Sequence, residues 1–535
     1  MFARCIYYNR ARRNYFPNTM TEKRHVPRRN TILVILDGFG MNPAKVNNAV
    51  YEARTPRLDE YFARYAHTTL EASGRAVGLP VGQFGNSEVG HTILGSGTIV
   101  RQDLVRINDA IADGSFFHNT VLLDAVNEAK ANNRPVHLVG LVSDGGVHSH
   151  CSHIAALIKM CRKHGVRPVM HMITDGRDTP PKSALQFLEP LEKKLKKANG
   201  HIATIIGRYF AMDRDHRWER TEDAWQLMVN GVGEKVENAT HGILQAYDRG
   251  LGDEFIEPLI IENSETITEQ DVVVFFNFRN DRPRQLAEAL AMEDFDQFDR
   301  GEFRSCYLTC LTEYDTKLLA PIVFPPERPK ITLTKAVSFA GYKQFHCAET
   351  EKYAHVTYFF NGGREEAYAG EDRRMIHSPD VHTYDETPEM SAREVANATI
   401  EAIDSGVYSF ILVNFANGDM VGHSAKREPI IRAVEFMDSQ VGRVLDAAIL
   451  NDYSVVLTAD HGNCDEYIDP YTGEPHTQHT AYPVPFLVVD ASFWKLATGG
   501  GLSNVAPTVL ELMGLQIPEG MQGDSLLLEE LGPIA

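Results

Sequence analysis

The stretch from Gly85 to His91, read Gly-Asn-Ser-Glu-Val-Gly-His, places one hydroxyl at a glycine-bounded turn that can open a helix. Backbone N–H groups at a helix N-terminus attract anions, so the Ser87 hydroxyl is well placed to meet an anionic group. A serine alone is a weak nucleophile at neutral pH and needs a base, a low-pKa partner or a metal ion. No Gly-x-Ser-x-Gly motif surrounds Ser87, which disfavours the usual hydrolase triad. We therefore expect a serine activated by a metal ion.

Aspartate and histidine side chains that could bind such an ion follow several apolar runs of the chain. They are Asp37, Asp419, His423, Asp460, His461, His476 and His479. Each alone could be a turn residue, a helix cap or a solvated side chain. Together they predict a metal site, because a parallel sheet brings its strand ends to one edge. Carboxylate with imidazole suits manganese or zinc, and two clusters suggest two ions that stabilise the attacking and the leaving oxygen of a displacement.

A second set of polar residues follows four further apolar runs in the middle of the chain. It comprises His148, Arg177, Asp178, Arg208, Arg214, Arg279 and Arg282. One alternative is that each arginine pairs within its own motif, as Arg177 with Asp178 or Arg214 with Asp213. The arginines exceed what local pairing needs, which favours bidentate recognition of phosphate and carboxylate. His148 could carry a proton at the same place, since an unperturbed imidazole titrates near neutral pH.

Buried strands and amphipathic helices must position these residues. Unbroken apolar runs predict strands buried on both faces: 31–36, 136–142, 169–173, 202–206, 272–278, 410–415, 455–458 and 484–489. Helical patterns lie between many of them, for example at 183–197 and 391–404. The predicted class is α/β with mainly parallel sheets, in which chemistry gathers at the carboxyl ends of the strands.

The length of 535 residues exceeds what one hydrophobic core usually supports, so we expect two domains. A glycine-rich segment ends near residue 101, and four prolines fall within residues 321–330; both read as joints. The metal-type residues lie outside these joints and most of the arginines between them. We therefore predict a metal-binding domain at 30–101 and 328–535 with residues 102–327 inserted as a substrate-binding domain.

Residues 1–29 are rich in arginine and poor in acids. We favour a disordered basic tail, or a true start at Met20, over an organelle transit peptide. The net charge of −19 disfavours a nucleic-acid partner. No apolar run approaches the roughly 20 residues that span a bilayer. Seven scattered cysteines suggest a reducing compartment, and we expect a cytoplasmic protein that binds a small anionic substrate.

The motifs together identify a family. They are the stretches 36–40, 85–91, 143–150, 175–178, 207–214, 276–279, 349–353, 417–423, 458–463 and 476–479. In this combination they resemble the cofactor-independent phosphoglycerate mutases, which are metalloenzymes of the alkaline phosphatase superfamily. The resemblance covers nearly all of residues 30–535. It implies an alkaline-phosphatase-like parallel-sheet domain with an inserted α/β transferase domain, usually in a monomer.

The resemblance also implies a reaction and a set of roles. Ser87 would be the phosphorylated nucleophile in the interconversion of 3-phosphoglycerate and 2-phosphoglycerate, a step of glycolysis and gluconeogenesis. Two manganese ions would be held, one by Asp37, Ser87, Asp460 and His461 and the other by Asp419, His423 and His479. Lys352 would lie beside the transferring phosphoryl group. The glycerate would be bound by His148, Arg177, Asp178, Arg208, Arg214, Arg279 and Arg282, and closure of the inserted domain would exclude water.

Two short stretches depart from the commoner family pattern. Residues 95–98 read Gly-Ser-Gly-Thr, and Asn280 replaces a small residue or proline. Neither changes a matched ligand, so we expect only local differences in loop geometry. Two alternatives remain open at this point. One is a metal-dependent phosphatase or phosphopentomutase of the same superfamily, and the other is a non-catalytic protein that binds metal or phosphate.

Overall fold

The computed structural model describes residues 29–534, so the predicted basic extension lies outside the described residues apart from Arg29. The strands are, in chain order, β1 (Asn30–Leu36), β2 (Ala66–Glu71), β3 (Val136–Leu141), β4 (Pro168–Thr174), β5 (His201–Gly207), β6 (Glu234–Val236), β7 (Leu259–Ile261), β8 (Val272–Phe275), β9 (Tyr307–Cys310), β10 (Gln344–Glu349), β11 (Glu371–Ile376), β12 (Phe410–Phe415), β13 (Tyr453–Thr458), β14 (Val484–Val489), β15 (Ser492–Leu496), β16 (Gly500–Gly501) and β17 (Leu527–Pro533).

The α-helices alternate with these strands along most of the chain. They are α1 (Ala49–Glu52), α2 (Pro56–Arg64), α3 (Ser87–Ser96), α4 (Asp103–Asp113), α5 (Thr120–Ala131), α6 (Cys151–His164), α7 (Ala184–Lys197), α8 (Arg208–Ala211), α9 (Trp218–Trp225), α10 (Ala239–Asp248), α11 (Arg284–Ala291), α12 (Leu333–Phe339), α13 (Thr350–Ala354), α14 (Ala392–Asp404), α15 (Asn417–Gly422), α16 (Arg427–Leu450) and α17 (Val505–Leu512). The predicted α/β class with mainly parallel sheets is confirmed. None of the helices in residues 29–534 is long and apolar enough to cross a membrane.

The described chain divides into two compact units. The first comprises residues 29–72, Asn86–Thr98 and 330–534, and the second comprises Ser73–Gly85 and Ile99–Pro329. The boundaries drawn from the sequence differ from this division by two or three residues at each joint and by a longer segment in one place. Residues 73–85, assigned from the sequence to the metal-binding domain, belong to the second unit, so the chain leaves the first unit, returns to it for α3 and leaves again.

The first unit is built on a sheet of eight strands in the order β11-β10-β12-β1-β13-β14-β2-β16. The pairs from β11 to β13 are parallel. The run 484–489 forms β14 as predicted, but β14 is antiparallel to both β13 and β2. Residues 32–36 of β1 are wholly buried. This matches the unbroken apolar run, because helices cover both faces of a central parallel strand.

The second unit is built on a sheet of seven strands in the order β6-β7-β5-β4-β3-β8-β9. All pairs are parallel except β5 with β7. Successive strand residues enter different apolar clusters, as Leu138 and Val139 do, because side chains alternate between the two faces of a sheet. The predicted strand 272–278 ends three residues early, at Phe275. There the Asn277 side chain accepts the hydrogen bond from the Leu141 N–H and replaces the backbone ladder.

The proline-rich joint at 321–330 is extended and packed against the second unit over much of its length. The Cys310 N–H donates to the Pro321 carbonyl at 2.9 Å, and the Val323 N–H donates back to the Cys310 carbonyl at 3.0 Å. Arg106 donates to the Pro325 carbonyl at 2.9 Å. The segment is therefore part of the second unit up to Pro329.

Candidate active site

Four neighbouring parallel strands of the first sheet each end at a candidate site residue. The strands lie in the order β10, β12, β1 and β13. Asp37 follows β1 directly, and Lys352 lies in α13 immediately after β10. Asp419 lies in α15 after β12, and Asp460 and His461 follow β13. The carboxyl ends of parallel strands share one edge of a sheet, so the topology gathers these side chains.

Ser87 reaches the same edge as the first residue of helix α3. Asn86 caps the helix, since its side chain accepts a hydrogen bond from the Val89 N–H at 3.0 Å. Gly90 allows α3 to lie against the strand end that carries Asp460. A Cβ added at Gly90 would lie only 2.8 Å from the Asp460 Cβ. The glycine three residues after the serine is thus required by close packing.

The Ser87 hydroxyl is surrounded by charged and polar groups. Its Oγ accepts a hydrogen bond from Lys352 Nζ at 2.7 Å. It lies 2.9 Å from His461 Nε2 and donates to Asp37 Oδ1 at 3.3 Å. Ser87 is only 7% exposed. A group that reacts with this hydroxyl does so beside a buried cation and with little access for water.

Lys352 holds this arrangement together. Besides Ser87, its ammonium donates to Asp37 Oδ1 at 2.7 Å and to Asp419 Oδ2 at 2.6 Å. These three bonds use the three N–H donors of an ammonium. Burial opposes the charged form, but the carboxylates of Asp37 and Asp419 outweigh it and raise the pKa of Lys352. Lys352 is therefore a fixed positive charge at neutral pH.

Asp419 is the centre of a second group of ligand-type side chains. Its Oδ1 lies 3.3 Å from His423 Nε2 and 3.1 Å from His479 Nε2. His423 is oriented from its other side, because its Nδ1 lies 2.8 Å from the Thr477 carbonyl. The hydrogen bond to Asp419 raises the pKa of His423. His476 does not join the group; its Nδ1 lies 3.3 Å from the backbone carbonyl of Glu466.

The donor set fits divalent metal ions. Three groups each bring their ligand atoms within 4.8 Å of one another: Asp419 with His423 and His479, Asp37 with Asp419 and His461, and Asp37 with His91 and Asp460. The buried Asp460 Oδ2 makes no hydrogen bond among the described residues, although His91 Nδ1 lies 3.2 Å away. Burial, followed by the negative charge of Asp460, raises the pKa of Asp37. Asp37, Asp419 and Asp460 are all buried, whereas Lys352 supplies one positive charge, and further cations would relieve their repulsion.

His91 and Asn414 support these ligands and were not singled out from the sequence. His91 Nδ1 lies 2.9 Å from the Ser87 carbonyl and 3.2 Å from Asp460 Oδ2. Asn414 Nδ2 donates to Asp37 Oδ2 at 2.7 Å and lies 3.0 Å from His91 Nε2. The Asp37 carboxylate can only accept, so the Asn414 atom that faces it is the amide nitrogen. The same nitrogen faces His91 Nε2, which must therefore accept a hydrogen bond. The available signal was one asparagine within an otherwise apolar buried strand.

In the second unit, the candidate substrate residues, most of which are arginines, also follow the carboxyl ends of parallel strands. The strands β5, β4, β3 and β8 are parallel neighbours. Asp178 and Arg177 follow β4, Arg208 follows β5, and His148 follows β3. Arg279 and Arg282 follow β8, and Arg214 lies just beyond α8. All of these candidate substrate residues therefore lie beyond the carboxyl ends of four adjacent strands.

Arg208 is the buried member of this cluster. Its Nη1 donates at 2.6 Å both to Asp175 Oδ1 and to Asp178 Oδ2. Burial opposes the charged form of Arg208, but the hydrogen bonds to these two carboxylates raise its pKa. Asp175, which the sequence analysis did not select, also accepts the backbone N–H groups of Arg177 and Asp178. The loop after β4 is thus folded around Asp175.

Arg177 and Arg214 do not form the local pairs considered from the sequence, whereas Arg279 pairs within its own motif, with its Nε 3.2 Å from Asp281 Oδ1. Arg177 lies 3.6 Å from Glu254 Oε1, and Arg214 donates to Asp281 Oδ2 at 3.0 Å. Arg177, Arg214 and Arg279 are about half exposed, with side-chain values of 55%, 48% and 51%. Burial, followed by the charges of Arg208, Arg214 and Arg177, lowers the pKa of Arg282. Mutual repulsion of this kind favours an anionic ligand.

His148 lies inside the same cluster and is almost fully buried. Its Nε2 is 3.9 Å from Asp178 Oδ2, and its Nδ1 is 3.7 Å from Asp281 Oδ1. Burial, followed by the positive charge of Arg208, lowers the pKa of His148 to about 4. At neutral pH the ring is neutral, so one nitrogen can accept a proton while the other donates.

Comparison with known proteins extends the resemblance over most of the chain. The family model described as the BPG-independent PGAM N-terminus matches residues 107–316, and the sulfatase model matches residues 325–515. A 2,3-bisphosphoglycerate-independent phosphoglycerate mutase from Moorella thermoacetica is 49% identical over 506 residues, covering 93% of this chain and 98% of the relative. The enzyme of the same name from Cellvibrio japonicus is 47% identical over 508 residues, covering 93% and 98%.

A solved structure agrees with the sequence relatives. The phosphoglycerate mutase of Leishmania mexicana, crystallised at low cobalt concentration, is 32% identical, with a TM-score of 0.62, and the match covers 95% of this chain and 99% of that one. The resemblance read from the motifs is thereby confirmed. The chain belongs to the 2,3-bisphosphoglycerate-independent phosphoglycerate mutase family, isomerases of the alkaline phosphatase superfamily.

Proposed function

We propose that this chain interconverts 3-phosphoglycerate and 2-phosphoglycerate through a phosphorylated Ser87, without 2,3-bisphosphoglycerate. The names of its relatives supply the reaction. The observation that carries the proposal is the buried contact of 2.7 Å between Ser87 Oγ and Lys352 Nζ. A hydroxyl that hydrogen-bonds a buried ammonium and lies at a helix N-terminus is suited to accept a phosphoryl group.

The proposed reaction consists of two transfers of one phosphoryl group. In the first, the bond between phosphorus and the substrate's O3 breaks and a bond between phosphorus and Ser87 Oγ forms. In the second, the bond to Ser87 breaks and phosphorus bonds to O2 of the same glycerate. The proton lost by Ser87 matches the proton gained by O3, and O2 returns a proton at the end. No proton or co-substrate is consumed, as an isomerisation requires.

Lys352 stabilises the charge of the transferring group. Its ammonium is anchored by Asp37 and Asp419, so it does not have to reorganise during the reaction. A preorganised cation in a buried site is worth far more than one in water, and phosphoryl transfer depends mainly on positioning and electrostatics. Water must be excluded, because hydrolysis of the phosphoserine would make the enzyme a phosphatase.

Two divalent metal ions belong to the proposal, because the buried carboxylates and histidines supply both the negative charge and the donor atoms that such ions need. One would be held by Asp37, Ser87, Asp460 and His461, and the other by Asp419, His423 and His479. When bound, such ions lower the pKa of a coordinated hydroxyl and stabilise charge on phosphoryl oxygens. Carboxylate and imidazole ligands suit manganese, our proposed metal, and the Leishmania mexicana relative was crystallised with cobalt.

The second unit binds the glycerate in this proposal. Arginine forks recognise carboxylate and phosphate with two parallel hydrogen bonds, and Arg177, Arg214 and Arg279 are exposed enough to do so. His148 moves protons at the glycerate hydroxyls through Nε2, with Asp178 beside it. The assignment of residues 102–327 as a substrate-binding domain, a monomeric state and a cytoplasmic location stay predictions.

Phosphorus-detected NMR of the purified protein with 3-phosphoglycerate and added manganese tests the proposal. We expect 2-phosphoglycerate to form without added bisphosphoglycerate and the Ser87→Ala variant to be inactive but folded. Release of free phosphate would instead indicate a phosphatase, and interconversion of pentose phosphates alone would indicate a phosphopentomutase. A Ser87→Ala variant with substantial mutase activity would refute the nucleophile assignment.

A further inference from the structure

We propose that Asp281 is a positioning residue of the glycerate site, which orients Arg214 and Arg279 and sets the tautomer of His148. The inference rests on the proposed function, because it assigns a role within the same substrate site. Asp281 lies in the loop after β8 and is one of two residues that separate Arg279 from Arg282. The sequence analysis did not select Asp281.

Asp281 joins arginines from two different strand ends. Arg214, beyond β5 and α8, donates through Nη1 to Asp281 Oδ2 at 3.0 Å. Arg279, beyond β8, brings its Nε to 3.2 Å from Asp281 Oδ1. Within residues 29–534, neither guanidinium has a second carboxylate at ion-pair distance. One nitrogen of each guanidinium therefore contacts Asp281, and this contact fixes the orientation of the guanidinium. About half of each arginine side chain stays exposed.

Asp281 also faces His148 from the opposite side to Asp178. Asp281 Oδ1 and His148 Nδ1 are 3.7 Å apart. Both atoms are buried, and neither makes a hydrogen bond among the described residues, although Arg279 Nε forms an ion pair with Oδ1 at 3.2 Å. Unpartnered buried polar atoms are rare, and a movement of about 0.5–1 Å would bring this pair to hydrogen-bond distance. The bond would keep the proton on Nδ1 and leave Nε2 to exchange protons with the glycerate.

The charge of Asp281 is stable over the working pH range. Burial opposes ionisation, but the charge of Arg279 and the hydrogen bond from Arg214 lower the pKa of Asp281. A merely structural reading is that Asp281 only reduces repulsion among the arginines. In that case its loss would lower stability and affect kcat and KM together, without a change at His148. If Asp281 is a positioning residue, its loss lowers kcat by a larger factor than it raises KM and also changes the tautomer of His148.

The test compares Asp281→Asn with Asp281→Glu and a matched control, Glu265→Gln. Glu265 forms a bidentate pair with Arg167 at 2.7 Å elsewhere in the same unit, so its variant also removes one arginine partner. We expect Asp281→Asn to raise KM for 3-phosphoglycerate about tenfold and to lower kcat by a larger factor. Asp281→Glu, which keeps the charge, should recover part of KM but less of kcat. Glu265→Gln should match the wild type in both.

Nitrogen-15 NMR of the imidazoles reports the tautomer of His148, which would not change if Asp281 had only a structural role. The His148 signals are identified by their loss in a His148→Gln variant. We expect a protonated Nδ1 in the wild type and a mixture of tautomers in Asp281→Asn. Unchanged tautomer and kinetic constants within twofold of the wild type would overturn the inference. If Asp281→Asn does not fold, equal kcat and KM in Asp281→Glu and the wild type overturn it.

Turnover of 3-phosphoglycerate by the wild type distinguishes a failure of the proposed function from a failure of the role assigned to Asp281. An inactive wild type with manganese and 3-phosphoglycerate contradicts the proposed function, whatever the Asp281 variants do. An active wild type with an unaffected Asp281→Asn variant contradicts only the role of Asp281.

Discussion

Lys352 Nζ lies 2.7 Å from Ser87 Oγ, although 265 positions of sequence separate the two residues. Lys352 comes from the helix after β10, and Ser87 comes from a helix that begins where the chain returns from the second unit. The contact thus depends on the sheet order and on the close approach of α3. Two predictions test these dependences, one at the cation and one at the helix.

Replacing Lys352 with methionine keeps most of the length of the unbranched side chain and removes its charge. We expect kcat to fall about 100- to 1,000-fold, as when one preorganised donor to a transition-state charge is removed. The carboxylates of Asp37 and Asp419 would then lack their buried partner, which lowers the free energy of unfolding by roughly 3 kcal/mol in metal-free protein. Steady-state kinetics and urea unfolding measure the two effects. Lys335→Met, at a partly exposed lysine that donates to a backbone carbonyl, is the control; equal effects in both variants would contradict the role of Lys352.

A methyl group at Gly90 should displace α3 from the strand end. Alanine in a helix interior normally stabilises a protein by about 1 kcal/mol relative to glycine. At Gly90 the added Cβ would lie 2.8 Å from the Asp460 Cβ, so we expect Gly90→Ala to be destabilising and to lower kcat at least tenfold. Thr92→Ala, on the same helix, controls for helix propensity. A stabilised and fully active Gly90→Ala variant would show that the helix does not need this approach.

Much of this architecture could be predicted from sequence because buried parallel strands are unbroken apolar runs. The run that ends at Asp37 and the one that ends before Asp460 became strands with their polar residues at the carboxyl ends. The order in which strands lie side by side could not be predicted, since β10, β12, β1 and β13 are not consecutive. Lys352 therefore entered only through the family resemblance, because a single lysine after a strand carries no pattern of its own.

Side-chain partners that come from different strands could not be predicted either, because their contact depends on the order of the strands in the sheet. Arg214 was expected beside Asp213 if it was structural, but it pairs with Asp281 from another strand end, and Asp213 pairs with Arg220. Asn414 was hidden within an apolar run, although its amide supports Asp37. Local sequence indicates neighbours along the chain, whereas parallel topology brings together the ends of strands that are distant in sequence.

Metal removal should inactivate the enzyme reversibly. Metal binding should depend on His479 more than on His476. We expect a chelator to abolish turnover and manganese to restore it, because three buried carboxylates face one lysine. Titration followed by electron paramagnetic resonance should show two bound manganese ions in the wild type and one weakened site in His479→Gln. His476→Gln is a matched control three residues away, since its ring contacts a backbone carbonyl instead of Asp419. Full activity in metal-stripped protein, or equal metal affinity in both variants, would rule out this site.

The second unit should lose stability when the pH falls below neutrality. Burial lowers the pKa of His153 to about 3 and of His137 to about 4, against 6.5 for an unperturbed histidine. Between these values the unfolded chain binds protons that the folded chain does not, so stability is present above pH 6.5 and declines as the pH falls towards 4. Each such histidine contributes about 1.4 kcal/mol per pH unit within its window. Fluorescence of Trp218 and Trp225 in a Trp494→Phe variant would follow this unit alone.

Substituting one histidine isolates its share of the acid sensitivity. His153 Nε2 lies 3.0 Å from the Asn108 side-chain oxygen, and a glutamine can supply a similar donor without titrating. We expect His153→Gln to move the midpoint of acid unfolding to lower pH while leaving stability at pH 8 nearly unchanged. Exposed His241 provides the comparison, because its loss should leave the acid midpoint in place. A midpoint that responds equally to both substitutions would show that buried neutral imidazoles do not govern the acid stability of this unit.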